Sequence, residues 1–371
     1  MILMILNQNM KINNNQLRNG VSGIMRVKND AEFIEASIDS CIDALDELVI
    51  VYNDCSDNSP ELIYKKQKQY PDKIKVYEYK HKIYSINLTK EEYEYAKSLP
   101  SDSPHLLCNY YNFALSNVTC QYAMKIDADQ IYFSDKLKEW CDVYRYGCNV
   151  STLEKIIGKG MWAYSRIIDK INVKRGKVSH GLPQSAVKWL YPYYINYIKS
   201  LVSEKKVNVS LSGLDVVYSD KWLVTIGKKN DIINILPPYN GVGDHLIFKV
   251  TDEVYYRPDD CQFYNSLRSD SYSFIERFVC KDKNYRIGVF WFHLNGMRNN
   301  VRNRVIEAID RFPDSVMPLD SFSKRDYDKN IEPLIDREMM LTYQRSLFQF
   351  IHQGEAHLLP SQLKYLSTIK L

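Results

Sequence analysis

Two carboxylates one residue apart, Asp127 and Asp129, end the apolar run Gln121-Tyr-Ala-Met-Lys-Ile126. Alternate residues of a strand share a face, so extended backbone through Asp129 would aim both carboxylates out of the mouth of a sheet. Carboxylates that close repel, and one pKa rises unless a cation lies between them. Hard divalent ions are commonly held by one or two carboxylates plus substrate phosphates. A strand that stops at Asp127-Ala-Asp129 therefore reads as a metal–diphosphate site. The same residues also suit a helix N-cap, since Asp favours turns and caps. Both readings stand on the residues alone.

Two further polar clusters bear on that choice. The turn Tyr52-Asn-Asp-Cys-Ser-Asp-Asn-Ser59 is rich in acceptors that suit the donors of a nucleobase and a ribose. The segment Arg26-Val-Lys-Asn29 adds a cation and an amide. If the three clusters meet at one sheet edge, they form a pocket for a nucleoside diphosphate with a metal.

The elements around them make that meeting plausible in physical terms. Residues 23–27 read as a short buried strand, and 31–45 carry apolar residues at helical spacing. A second strand follows at 47–52, a helix at 61–69 and a third strand at 73–79. A helix at 106–116 precedes the strand that ends in Asp127, and another helix follows over 134–144. Strand–helix alternation with short connections implies a mainly parallel sheet with helices on both faces. Ligands of such sheets bind beyond the carboxyl ends of strands, where strand order reverses. Strand-like segments return at 207–211, 222–226 and 246–250, and the last 70 or so residues read as helical.

Composition sets the outer bounds. The 371 residues are 45% apolar and 25% charged, a globular balance that excludes a disordered chain, a collagen-like chain and a simple coiled coil. No apolar run approaches the ~20 residues that span a bilayer, and the stretch from Met1 to Leu6 is too short for a signal sequence. The expectation is a soluble, non-secreted, cytoplasmic protein. Its eight cysteines show no CxxC spacing and read as reduced thiols, with Cys41 in a core.

The net charge of +4 is unevenly spread. Residues 155–206 hold eleven Lys/Arg against Asp169 and Glu204, a net of +9, which leaves −5 for the rest of the chain. Trp162, Tyr164, Trp189, Tyr191, Tyr193, Tyr194 and Tyr197 are interleaved with these cations.

The motifs R-V-K-N-D, V-I-V-Y-N-D-C-S-D-N-S, Y-Y-N-F-A and K-I-D-A-D-Q-I-Y, in that order, resemble bacterial GT-A glycosyltransferases. The nearest resemblance is to the β-1,4-N-acetylgalactosaminyltransferases of lipooligosaccharide assembly. It covers residues 23–150 and resumes more weakly over 206–350, through Gly243-Asp244, Trp291-Phe-His293 and Asn330-Ile-Glu-Pro333. It implies an α/β GT-A fold: a Rossmann-like mixed, mainly parallel sheet flanked by helices, with a helical insertion and a helical C-terminal tail. The organisation expected is a flexible arm at 1–20, a nucleotide-sugar-binding half at 21–150, a basic and aromatic insertion at 151–206, an acceptor-binding half at 207–300 and a helical region at 301–371.

The resemblance also implies roles. Asp54 would read uracil, with Arg26 and Asn29 in the same pocket and Asp57 as a further candidate. Asn112 would face the nucleotide, or else be an exposed helix residue. Asp129 would ligate Mn²⁺ or Mg²⁺ directly, Asp127 would bind metal, ribose or both, and His293 would be a late metal ligand or a core histidine. An inverting transferase also needs a base for the acceptor proton. Asp244, in Asn240-Gly-Val-Gly-Asp244, is the first choice, because flanking glycines let backbone approach the donor sugar. Asp215 is the second, and a turn or cap role for Asp244 is the alternative.

The function implied is transfer of GalNAc or Gal from a UDP-sugar to a glycan or glycolipid acceptor such as lipooligosaccharide, O-antigen or capsule. A sugar nucleotidyltransferase would want a Gly-rich phosphate loop after the first strand, and Arg26-Val-Lys-Asn29 is not one. A non-catalytic nucleotide-binding module is left if Asp127-Ala-Asp129 only caps a helix. The 155–206 segment is where the chain departs from the family. Lys and Arg interleaved with Trp and Tyr suit an anionic membrane surface, which would put the protein on the inner face of the cytoplasmic membrane. A solvated helical hairpin is the plainer reading. No nucleic-acid motif accompanies the segment, so no nucleic-acid partner is expected.

Overall fold

The computed structural model describes residues 17–175, 180–225, 239–241, 243, 245–259, 272–322 and 346–369. The chain divides into two compact units, Met1–Asp129 with Ile247–Lys283, and Gln130–Leu246 with Asn284–Leu371. The first unit opens with β1 (Arg18–Val27), α1 (Ile34–Cys41), β2 (Glu47–Tyr52), α2 (Ser59–Gln69), β3 (Ile74–Glu78), α3 (Lys90–Ser98), α4 (Leu107–Ser116) and β4 (Cys120–Asp127). The second begins with β5 (Gln130–Tyr132), α5 (Ser134–Tyr146), α6 (Thr152–Arg175), α7 (Gln184–Lys205), β6 (Asn208–Tyr218), β7 (Trp222–Thr225) and β8 (Tyr239–Asn240). The chain returns to the first unit for β9 (Leu246–Lys249), β10 (Tyr255–Asp259) and β11 (Ile275–Val279). It then completes the second with β12 (Asn284–His293), α8 (Asn299–Arg311), β13 (Val316–Pro318), α9 (Leu319–Phe322), α10 (Ser346–Glu355) and α11 (Leu359–Gln362).

In the first unit β2 pairs with β1 and β3, and β1 with β4, all in parallel. β9 adds antiparallel to β4. Leu48, Val49, Ile50 and Val51 of β2 are fully buried, as expected of a parallel strand covered on both faces. The order β3-β2-β1-β4 grows away from β1 in both directions, so strand order reverses at β1. Arg26 lies in register with Val51 on one side and Asp127 on the other, and Val27 with Tyr52. The Arg26, Tyr52 and Asp127 clusters thus end three adjacent parallel strands. The helices have local causes. α1 buries Ile34, Ile38 and Cys41 on one face. α2 carries Pro60 at its start, where a missing N–H costs nothing. α3, which the apolar pattern does not announce, is held by a capping box between Thr89 and Glu92.

The second unit is built on β6, parallel to β12, with Asp215 in register with His293. β7 and β8 pair antiparallel to β6, β13 to β7, and β5 to β12. Phe290, Trp291 and Phe292 of β12 are fully buried. The expected α/β class, a mixed sheet with its longest ladders parallel and helices around it, is what the chain forms. Ordered strand begins at Arg18, slightly earlier than the expected onset near Val21. The 151–206 segment is a pair of long helices, α6 and α7.

Candidate active site

The first unit collects most of the expected residues at the carboxyl ends of β1, β2 and β4. Arg26, at the end of β1, donates to the Tyr111 hydroxyl at 2.5 Å. Its guanidinium also lies 3.8 Å from the Tyr111 ring centroid. Burial alone would lower the Arg26 pKa, but Tyr111, Glu276, Tyr110 and Asp127 outweigh it and keep the group charged. Its buried Nε has no hydrogen-bond partner, so the side chain retains donor capacity. Lys125 Nζ lies 3.8 Å from Asp127 Oδ2, so Asp127 stands among cations.

The two turns are braced against each other. Asn29 and Asp54 both adopt left-handed backbone, with φ of 57° and 47°. Asn and Asp tolerate this region better than other non-glycine residues, and such conformations gather at functional sites. Asn29 Oδ1 accepts from the Ser56 N–H at 2.7 Å. Asp57 accepts from Ala31 N and Ser59 N, both at 3.0 Å. Burial opposes ionisation of Asp57, but these hydrogen bonds win and hold its carboxyl below the usual range. Asp57 therefore shapes the turn, whereas Asp54 is 74% exposed and pairs with Lys28 at 3.0 Å. An exposed pair of this kind is worth little and yields readily to a ligand.

Three placements differ from the simple pattern reading. Extended backbone stops at Asp127, and Ala128-Asp129 form a turn, so strand alternation does not aim the two carboxylates. Nor does either carboxylate cap a helix: β5 follows, and α5 has Phe133 at its N-cap. Asn112 is buried, with its amide bonded to the Tyr256 backbone in both directions at 2.8 Å. That amide ties α4 to β10, while Tyr111, one position earlier, turns to Arg26. Tyr111 also stacks on Tyr256, with centroids 4.5 Å apart. Tyr110 and Tyr111 are the residues that a reading by type passes over, because tyrosines on an apolar helix look like core. Neighbouring helix positions point about 100° apart, and here both Tyr111 and Asn112 meet Tyr256, one by its ring and the other by its amide.

The second unit brings Asp215 and His293 together. Asp215 Oδ1 and His293 Nδ1 are 2.5 Å apart, and both side chains are mostly buried. A carboxylate on one ring nitrogen fixes the tautomer and orientation of a histidine that works through the other. Beside them in the same unit lies a polar cluster whose members Gln130, Asn240 and Trp291 stand in the motifs without a role assigned to them. Asn240 Oδ1 accepts from Trp291 Nε1 at 3.1 Å and from Gln130 Nε2 at 3.3 Å. Gln130 Nε2 is 3.1 Å from His245 Nε2, and Gln130 Oε1 accepts from Tyr132 at 2.5 Å. Trp291 fits only because Gly213 lies beneath it: a Cβ there would sit 1.9 Å from Trp291 Nε1. Asp244, expected as the base, lies outside the described residues, as does Asn330-Ile-Glu-Pro333.

A divalent cation would find only oxygen donors at Asp127 and Asp129. Among the described residues no group of three or more His, Cys, Asp and Glu is arranged around a common metal position. The donor set fits a hard cation that takes its remaining ligands from substrate oxygens and water. Among the described residues no helix is long and apolar enough to cross a membrane. Among the described residues seven cysteines are free thiols, with Cys41 in the core as expected.

Residues 7–156 match the sequence pattern of a family described as β-1,4-N-acetylgalactosaminyltransferase (CgtA). This is less than half of the chain, and it is the stretch whose motifs carry the resemblance. No protein with a curated function matches in sequence. Among solved structures, glucosyl-3-phosphoglycerate synthase from Mycobacterium tuberculosis, in complex with Mn²⁺, uridine diphosphate and phosphoglyceric acid, is similar at 15% identity and a TM-score of 0.20, over 30% of this chain and 34% of that one. The chain thus spans about a third of that enzyme's length. Residues 1–349 of S. aureus TarS match at 10% identity and a TM-score of 0.29, over 91% of this chain and 72% of that one. The TarS complex with UDP matches at 12% identity and a TM-score of 0.29, over 92% and 91%.

Proposed function

We propose that this chain is a UDP-sugar glycosyltransferase that moves GalNAc or Gal to a glycan or glycolipid acceptor such as lipooligosaccharide, O-antigen or capsule. The observation that carries the reading is that three adjacent parallel strands end in Arg26, the Asp54 turn and Asp127, at the point where strand order reverses. That is where open α/β sheets bind nucleotides. The match of residues 7–156 to the transferase family supports the same reading.

In this proposal Asp54 accepts the uracil N–H, and Asn29 and Asp57 hold the turn that presents it. Arg26 keeps its charge toward the diphosphate, anchored on Tyr111. Asp127 and Asp129 would hold Mn²⁺ or Mg²⁺. When bound, the metal would neutralise charge on the UDP leaving group. His293 is the further candidate ligand, oriented by Asp215. Inversion at the sugar C1 requires in-line attack by the acceptor hydroxyl, with a base within hydrogen-bond reach of its proton. Asp244 is the proposed base and Asp215 the second candidate.

The test is direct. UDP with Mn²⁺ should raise the melting temperature, and CTP or GTP should not. A panel of UDP-sugars should show slow hydrolysis of one donor, lost in Asp129→Ala. Equal protection by all nucleotides would overturn the nucleotide assignment. Protection by UDP with no turnover of any donor or acceptor would leave a nucleotide-binding module.

A further inference from the structure

The helix α6 is apolar on the side that faces away from the rest of its unit. Its inner face carries Gly158, Met161 and Ser165, all buried. Gly158 lets α7 approach so closely that a Cβ there would sit 2.2 Å from the Tyr193 carbonyl oxygen. The opposite face holds Leu153, Ile156, Ile167 and Ile171, which are 66%, 63%, 58% and 38% exposed. At ~3.6 residues per turn, positions 153, 156, 160, 163, 167 and 171 fall along one stripe. At position 160 nothing lies within 4 Å of where a Cβ would be, so the stripe is uncovered there.

This concentration is unusual within the molecule. Six large aliphatic residues are exposed among the described residues, and four of them are on this one helix. Scattered exposed apolar residues need no explanation, but a contiguous set marks an interaction surface. Lys159, Arg166 and Lys170, all exposed, run along one edge of the stripe. The surrounding segment 155–206 carries a net charge of +9. On α7, Trp189 is 58% exposed beside Lys188.

We infer that α6 lies in the surface of an anionic bilayer, with its aliphatic stripe among the acyl chains and its basic edge against the headgroups. A long helix with one apolar stripe and a Lys/Arg-rich border is the form that binds such a surface without crossing it. Charge argues against a second copy of the chain as the occupant. A symmetric pairing puts the same patch on both partners, so two copies of the +9 segment would be brought together. The inference stands on α6 alone and does not depend on the proposed activity.

The experiment is vesicle co-sedimentation of the full chain with phosphatidylglycerol–phosphatidylcholine vesicles and with phosphatidylcholine alone, with mass measured by light scattering in parallel. The wild type should bind the anionic vesicles and lose binding as salt is raised. Ile156→Glu with Ile167→Glu should weaken that binding about tenfold or more, with an unchanged melting temperature because both positions are exposed. Lys159→Gln, Arg166→Gln and Lys170→Gln together should remove the preference for anionic lipid. Absence of wild-type binding to anionic vesicles would overturn the inference. So would undiminished binding by both variants. A wild-type dimer that the double Ile variant separates, with vesicle binding intact, would make a second copy the occupant instead.

Discussion

The strand-end turns of the first unit and the core of the second use polar residues in opposite ways. At the strand ends of the first, Lys28 and Asp54 are 52% and 74% exposed, and Asn29 and Asp54 hold left-handed turns at the surface. In the second, polar groups are sealed inside. Lys136 pairs with Glu355, donates to the Val289 carbonyl at 2.8 Å and lies over the Phe290 ring. His352 lies 3.0 Å from the Ser212 hydroxyl and stacks on Phe348, and burial pushes its pKa down to about 3. Buried charges are kept only when paired, so the inner set serves the fold. Open, braced polar groups can exchange their partners for a ligand. The contrast teaches that a large titration shift marks burial here, and that the candidate site is found by geometry instead.

Four outcomes would break or sharpen that contrast. The largest is Asp129→Ala, which should cut transfer on the order of a thousandfold, several kcal/mol of transition-state stabilisation. Near-wild-type turnover would remove Asp129 from the site. Next is Lys136→Met, which strands the Glu355 carboxylate in the core and should cost about 3–5 kcal/mol in urea unfolding. UDP affinity should be unchanged, and Lys136→Met with Glu355→Leu should recover most of the loss. A shift in UDP affinity would show that the sealed cluster reaches the ligand.

The third outcome concerns pH. The folded pKa of His352 is depressed below that of a free histidine. The unfolded chain therefore takes up the proton first as pH falls. The His352 contribution is complete above about pH 6.5 and is lost below it, by roughly 2 kcal/mol at pH 5. Unfolding curves at pH 7 and pH 5 check this, and His352→Phe should flatten the difference. The smallest effect is Asp54→Ala. It should weaken UDP binding about tenfold, some 1.4 kcal/mol, with stability changed by less than about 1 kcal/mol. Calorimetric titration with UDP and a melt distinguish the two.

Much of the first unit was legible in the residues. Strands 47–52 and 73–79 and the helix at 106–116 fall within a residue or two of β2, β3 and α4, because their apolar spacing is strong and their turns are polar. The parallel order followed from alternation. Where residues are described, the C-terminal stretch expected as helical is helical except for the short strand β13. The site was legible as motifs but not as partners. Arg26 could be marked as a cation, yet its seat on Tyr111 depends on how α4 rotates against β1. Asn112 could be marked as an amide, yet β10, some 140 residues later, claims it. Trp291, Gln130 and Asn240 stand inside motifs, yet their partnership gave no local signal, because their contacts join strands far apart in sequence.

What the sequence determined by itself is therefore the set of strand ends and the chemistry each carries: Arg26, Asn29, Asp54, Asp57, Asp127 and Asp129. It also determined the uneven charge, since composition does not depend on folding. Only the tertiary structure decided which of these groups are committed and which stay open. It turned Ala128-Asp129 out of the strand, assigned Asp57 to bracing, set His293 against Asp215, and left one face of α6 uncovered. The physical reason is that residue type and local spacing act over a few residues, whereas burial and hydrogen-bond partnership are settled by segments that meet only when the chain is packed.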